Sequence, residues 1–494
     1  MIADACHPLD AAPTPPFPPR YRWLKRLTAA GVLFVLALVG ARLWWGHVAD
    51  ARLQAAIAKY RAAGQPVLVQ DFVTPPLAPS ENAALLLKQA MATVAWAPDV
   101  TNLISELRER TAIPPSAQRF LSQTGPGRTL IRQARSLSSA DWGFTPTSPV
   151  ISTLIPGLSP HRQLGQALCA AALYQHALGE DDEAVESLRD VLRLCRHVSA
   201  VAPLLMRTLF RISIDHMGAM VIEEIAPRLQ ISSDDAADSV TSARRDPVQA
   251  LIRELLDELE FRASFCHAIY GERMSALDTY STLLTSGLTP LSPRASGLAT
   301  FVVQAPYRVL QPASALAVAR LMDLYADAAR AGADIDWPAA QAVAAAVRVP
   351  EHESLPARTA HAFWPDLAAS IDVGASYFHT LFLRRAAAVA LALRLYELDH
   401  GRRPSTLAEL VPSYLPAVPV DPFDPACGEI RYVPNARPPV LYSVSVNGID
   451  DGGAFVEERS HIDWRSKDAP FFLNGDQPLP RPGSRCGERR LSLP

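Results

Sequence analysis

The sequence predicts a mainly α-helical protein, with an N-terminal transmembrane helix, an all-α domain and a small α+β module at the C-terminus whose sheet is antiparallel. Three observations predict it. An uncharged apolar run close to the N-terminus has the length of a membrane span. Beyond it, apolar residues recur at helical spacing from about residue 48 to about residue 350, with no alternation of strand and helix. Near the C-terminus, two short runs rich in β-branched and aromatic residues are bounded by Gly, Asp and Pro turns.

The first element is the run from Leu27 to Ala41, LTAAGVLFVLALVGA, which continues to Gly46. That supplies the roughly 20 residues a span needs. Arg20, Arg22, Lys25 and Arg26 crowd its N-terminal side, and Trp44 and Trp45 suit the interfacial aromatic belt. The charge bias places the N-terminus in the cytoplasm. The bulk would then be periplasmic or otherwise extracytoplasmic, with the chain held in the inner (cytoplasmic) membrane. A cleaved signal peptide is the competing reading, with Val39-Gly40-Ala41 or Ala49-Asp50-Ala51 as the cleavage site. The divisions expected are a cytoplasmic tail (1–26), the span (27–46), a helical domain (47–370), the α+β module (371–465) and a Pro-rich tail (466–494).

Residues 48–63 have helical spacing in Leu53, Ala56, Ile57 and Tyr60 and extend the membrane helix as a stalk that Pro66 ends. Ser80-Glu81-Asn82 caps the next helix. Two short helices are expected near 116–123 and 129–136, then an irregular loop over 142–160. Leu164, Leu168, Ala171 and Leu178 form one apolar face, and Val185, Leu188, Val191, Leu192 and Leu194 form a second after Gly179. The Leu-Tyr, Gly-Glu and Ala184 spacing makes this segment partly tetratricopeptide-like, although Tyr174 to Gly179 is one residue long and no second copy follows. An ordinary antiparallel helix pair is the alternative. Further helices are expected over 203–225, over 247–270 (with Leu251, Leu255, Leu259 and Phe265 inward), over 313–331 and over 338–347.

Composition narrows the function. The 494 residues allow two or three domains, and 49% hydrophobic with 20% charged residues supports a sizeable core. A formal net charge of −3 and the absence of a basic stripe argue against nucleic acid as a partner. None of the six cysteines forms a CxxC pair. Cys169 with Cys195, and Cys427 with Cys486, are possible disulfides; free thiols are the equal alternative.

The C-terminal segment carries the densest signals. A long helix over 376–398 ends at Asp399-His400-Gly401, where Gly401 suits a left-handed cap. Thr406 and Glu409 have capping-box spacing. Strands are expected over 429–433 and 440–446, the second running into Asn447-Gly448-Ile449-Asp450-Asp451-Gly452-Gly453. Asn447, Asp450 and Asp451 place hard oxygen ligands on a Gly-rich turn, with Asp463 as a fourth and Ser443 or Ser445 available to complete a calcium shell. A solvated Asn-Gly and Asp-Gly turn is the alternative.

The ordered string YELDHGRRPSTLAELVPSYLPAVPVDPFD, IRYVP, LYSVSVNGIDDGG and HIDW resembles the C-terminal domain of the type II secretion major pseudopilin over roughly residues 385–465. The resemblance implies a long helix on a small antiparallel sheet and a calcium-binding loop. Three positions depart from that pattern: Ser445 replaces a Gly, Asn447 replaces an Asp, and Asp463 is displaced. The N-terminus lacks the pseudopilin leader. The remainder looks like uncharacterised bacterial single-span membrane proteins, with RAAGQPV and ENAALLL as its entry segment.

No catalytic constellation stands out. His352-Glu353 with His361 lacks zincin spacing, and no Gly-x-Ser-x-Gly or P-loop occurs. Glu258, Glu260 and Arg262 read as a solvated ion-pair face. The expectation is an anchored structural or protein-binding protein, with the bilayer and a protein as partners and calcium as the cofactor. The alternatives are an envelope hydrolase using His361 or Glu260, and an accessory component of a secretion system.

Overall fold

In a computed structural model, residues 21–94, 100–109, 113–150, 158–200, 203–231, 245–286, 298–347, 366–458, 461–475 and 487–489 are described. The chain is mainly helical, with one long apolar N-terminal helix and a small C-terminal antiparallel module.

Helix α1 runs unbroken over Arg22–Ala62. Every residue from 21 to 41 is exposed, and the apolar window is not buried by any of the described residues. A helix of this length and composition is compatible with a single-pass anchor. Its second half buries Ala49, Leu53 and Tyr60 in a cluster with Val318, Met322 and Ala326 of α10 (Leu298–Asp334). Tyr60 and Lys59 both bond the Asp323 carboxylate.

Asn82 caps α2 (Ala83–Val94), its Oδ1 accepting the Ala84 N–H at 3.0 Å. After α3 (Val100–Glu109) comes a correction: the two helices expected around residue 125 are one, α4 (Pro115–Arg135), with Pro126 inside it. The helix survives its proline because Ala117, Phe120, Ile131 and Ala134 on either side all enter the main core. Helices α5 (Leu158–Ala177) and α6 (Asp181–Ser199) form the expected hairpin, turning at Gly179, whose φ of 79° favours glycine. Cys169 and Cys195 are buried free thiols, so no bridge joins the hairpin. Cys6 and Cys486 lie outside the described residues.

Helix α7 (Leu205–Ile225) follows. The single helix expected over 247–270 is two, α8 (Arg245–Leu256) and α9 (Leu259–Ser286). The chain breaks where Asp257 pairs with Arg196 and Glu258 with Arg385, which turns Leu259 out to 75% exposure. After α10 and α11 (Trp337–Val347) comes α12 (Asp366–His400). Gly401, at φ 65°, stands at its end as expected.

Three strands form one sheet, β1 (Arg431–Val433), β2 (Val440–Ser443) and β5 (Ala469–Phe472), in the order β1-β2-β5. A second, unexpected sheet takes β3 (Phe455–Glu458), β4 (His461–Asp463) and β6 (Gly487–Arg489), in the order β4-β3-β6. All pairings are antiparallel. One hydrophobic cluster joins Leu164, Leu188 and Leu251 of the helical part to Ala388 and Leu391 of α12 and to Leu441 and Phe471 of the first sheet. The core therefore runs straight through the expected boundary at residue 370. Glu223 of α7 also accepts the Phe472 N–H at 2.6 Å.

Candidate functional site

The loop after β2 is organised by two aspartates. Asp421 is buried and accepts four hydrogen bonds: from Ser443 Oγ (2.7 Å), Val444 N (2.9 Å), Phe423 N (3.0 Å) and Arg431 Nη1 (3.0 Å). Burial raises its carboxyl above the ordinary range against the pull of those donors. Arg431 extends the network to Asp424 (2.5 Å) and Asp450 (3.4 Å). The second organiser, Asp468, lies just before β5. Its carboxylate accepts the Gly453 N–H at 2.6 Å and the Asp451 N–H at 3.3 Å. Burial pushes it up, the two N–H donors pull it down, and the charges of Asp450 and Asp451 push it up again, leaving it at about 6.

The four residues expected to bind metal divide. Asn447 donates to Asp451 Oδ2 at 3.1 Å while its Oδ1 accepts the Ile449 N–H. Asp450 accepts from Tyr442 Oη (3.1 Å) and Gly452 N (2.9 Å), and Asp451 pairs with Lys467 at 3.4 Å. Asp463 stands on β4, where its oxygens close a local turn by accepting from Arg465 N and Ser466 Oγ. Among the described residues, no group of three or more His, Cys, Asp or Glu side chains is arranged to hold an ion. Sequence reasoning missed Asp421 and Asp468. The Pro-Val-Asp-Pro context of Asp421 was the one available signal; an Asp after Lys467 offers none.

A cavity of about 320 Å³ opens where α9, α10, α11 and α12 meet the module. Phe265, Tyr325, Trp337, Val343 and Phe378 wall it, with Val446 and Arg465 contributed by the module. Trp337 Nε1 and Gln341 Nε2 both donate to the Val446 carbonyl, at 3.1 and 2.8 Å, which ties α11 to the exit of β2. Beside it, Trp464 stacks flat on the buried His379 of α12, with ring centroids 4.0 Å apart.

The acidic residues weighed for catalysis serve the core. Glu258 forms a two-bond pair with Arg385 (2.7 and 2.6 Å), and Glu260 bonds Arg211 at 2.7 Å. They are not the solvated face expected from their spacing; their partners lie on distant helices, which spacing along one helix does not reveal. Glu272 accepts the Leu205 N–H, and Arg273 bonds Gln65 and the Pro66 carbonyl. His352, Glu353 and His361 lie outside the described residues. Comparison of the chain with family models, with curated proteins and with solved structures gives no match.

Proposed function

We propose that the chain is a single-pass membrane protein that holds a pseudopilin-like C-terminal module outside the cytoplasm for a protein partner. The observation that carries this reading is the continuity of α1. Its exposed apolar stretch passes without a break into the stalk that packs Ala49, Leu53 and Tyr60 on α10. Anchor and body are thereby one rigid unit, and the stalk fixes the height of the body above the bilayer. The long α12 packed on an antiparallel sheet supports the pseudopilin likeness, and a role beside a secretion machine is the context that likeness brings.

The test is protease digestion of cells with the outer face of the membrane exposed, followed by alkaline extraction. The expected result is loss of everything beyond the stalk, with the N-terminal fragment kept in the membrane. Release by alkali, or a mature N-terminus after Ala41, overturns the anchor.

Calcium at the Asp468 loop is the second reading. One observation favours it: three carboxylates, Asp450, Asp451 and Asp468, stand close enough for two of them to raise the third. A calcium ion there would have to draw those three carboxylates and Asn447 out of their present hydrogen bonds and together, since no three acidic groups among the described residues are arranged around an ion, and would then neutralise their mutual repulsion. Asp463, engaged in its own turn, is not needed.

A further inference from the structure

We infer that the tip of the α9–α10 hairpin enters the outer leaflet of the bilayer beside α1, so that residues 298–306 of α10 lie among lipid chains. The inference rests on the single-pass reading of α1 and adds a second membrane contact to it. Two lines of register along α1 carry it. The first is α9. The Arg273 guanidinium sits 4.7 Å from the Tyr60 ring centre. Farther along α9, Tyr280 lies beside Gln311 of α10 and within electrostatic reach of Arg42 and Asp50. Helix α9 therefore runs down the stalk, antiparallel to α1, and it continues past Tyr280 to Ser286. The second line is α10. Its Asp323 bonds Lys59 and Tyr60, and its residues clustered with Ala49 and Leu53 are Ala315, Val318, Met322 and Ala326. An antiparallel α10 would bring residues well beyond Asp323 to Ala49 instead. Helix α10 is thus parallel to α1, and its earlier residues lie closer to the membrane.

Gln311, between the levels of Arg42 and Asp50, stands near Gly46, where the apolar run of α1 ends. Helix α10 nevertheless begins at Leu298. From Leu298 to Gln311 a helix covers about 20 Å at 1.5 Å per residue. Residues 21–41 of α1 are exposed, so α10 diverges from α1 below Arg42, and Pro306 and Pro312 are positions at which a helix bends. Even inclined at about 45° to α1, the start of α10 lies roughly 14 Å below the level of Gly46. The sequence suits that depth. Residues 298–306, LATFVVQAP, hold no charge. The first charge is Arg308, next to Tyr307, near the level of Trp44 and Trp45, and Arg and Tyr are at home at a membrane interface. Lipid is the occupant because α1, beside this helix, spans the same layer.

The experiment uses the full chain in phosphatidylcholine vesicles that contain a phosphatidylcholine bearing a photoreactive diazirine at mid-chain. After irradiation, labelled peptides are mapped. The expected pattern is labelling in two stretches, 27–46 and 298–306. Val302→Arg should lower labelling of the second roughly tenfold or more, because a charge is strongly disfavoured in hydrocarbon. It should leave the first stretch labelled and the unfolding temperature of the chain unchanged. Val302→Leu should label as the native chain does. Labelling of 27–46 alone overturns the inference and leaves the anchor standing; absence of both overturns the anchor reading and the inference with it. Labelling of 298–306 that ignores Val302→Arg also overturns the inference. So does labelling that appears only when the protein is diluted into a large excess of lipid, which would mark a second copy of the chain as the cover of this helix.

Discussion

Two helices of similar length and apolar character occupy opposite environments. From 21 to 41 every residue of α1 and its cap is exposed, whereas from 377 to 393 every residue of α12 is buried. The difference lies in their charges. The apolar stretch of α1 holds none between Leu27 and Ala41. The centre of α12 holds Arg384 and Arg385, both satisfied: Arg384 bonds Asp215 at 2.8 Å and the carbonyls of Glu254 and Leu255, and Arg385 bonds Glu258 and the Val420 carbonyl. A protein core can supply partners to a buried charge, and hydrocarbon cannot. A charge at mid-helix therefore marks a helix whose partners a protein core must supply, where mean hydropathy does not.

The largest expected effect breaks the α12 side of this comparison. Asp215 lies between Arg211 and Arg384, all three side chains at most 3% exposed. Asp215→Ala leaves Arg384 with carbonyl partners but no counter-charge and should cost about 3–5 kcal/mol, read as a lowered denaturant midpoint. If the core tolerates unpaired cations, the midpoint will barely move. Combining Asp215→Ala with Arg384→Met should recover a good part of the loss.

The α1 side is tested by Leu36→Arg, which puts an unpaired charge into the middle of the apolar stretch. Insertion should become unfavourable by about 2.5–3.5 kcal/mol, read as protein lost from the membrane fraction. The unfolding of the body should not change, because residue 36 is exposed and not buried by the described residues. A destabilised body with normal membrane retention would mean that α1 is a core helix whose partner is another protein.

Much of this contrast was legible in the sequence. The uncharged apolar run of α1, the Asn82 cap and the Gly179 turn act over a few neighbouring residues, and local pattern captures them. The break before Leu259, the continuity of α4 through Pro126 and the second sheet were not legible. Each is decided by partners far along the chain: Arg385 for Glu258, the main core for the two halves of α4, and residues 487–489 for β3. The candidate loop shows the same limit. Its Gly, Asn and Asp composition announced a turn around Asp450 and Asp451, but Asp421 and Asp468, which hold that turn, look like any surface acid until the fold buries them.

Asp468 supplies a third kind of interior charge, and the smallest effect. Unlike Arg384, it is held by backbone N–H groups, with the like charges of Asp450 and Asp451 nearby and Lys467 bonded to Asp451. Its folded carboxyl titrates at about 6, against an ordinary value of 3.8. The folded state thus holds the proton more tightly than the unfolded chain does. The stability this contributes is complete below pH of about 4 and is lost as pH rises through about 6, a loss of at most about 3 kcal/mol. Asp468→Asn removes the titration and keeps one oxygen for the Gly453 N–H. The difference in melting temperature between the native chain and this variant should therefore change across pH 4–7, whatever other carboxyls titrate in both. Calcium decides between the readings of the loop. An ion held by Asp450, Asp451 and Asp468 would pull the Asp468 carboxyl back down, raise the melting temperature at neutral pH by native-state binding, and flatten the pH difference; chelator would restore it. Coincident melts in calcium and chelator, with the pH difference intact, would mean that two N–H groups close this turn and no metal does.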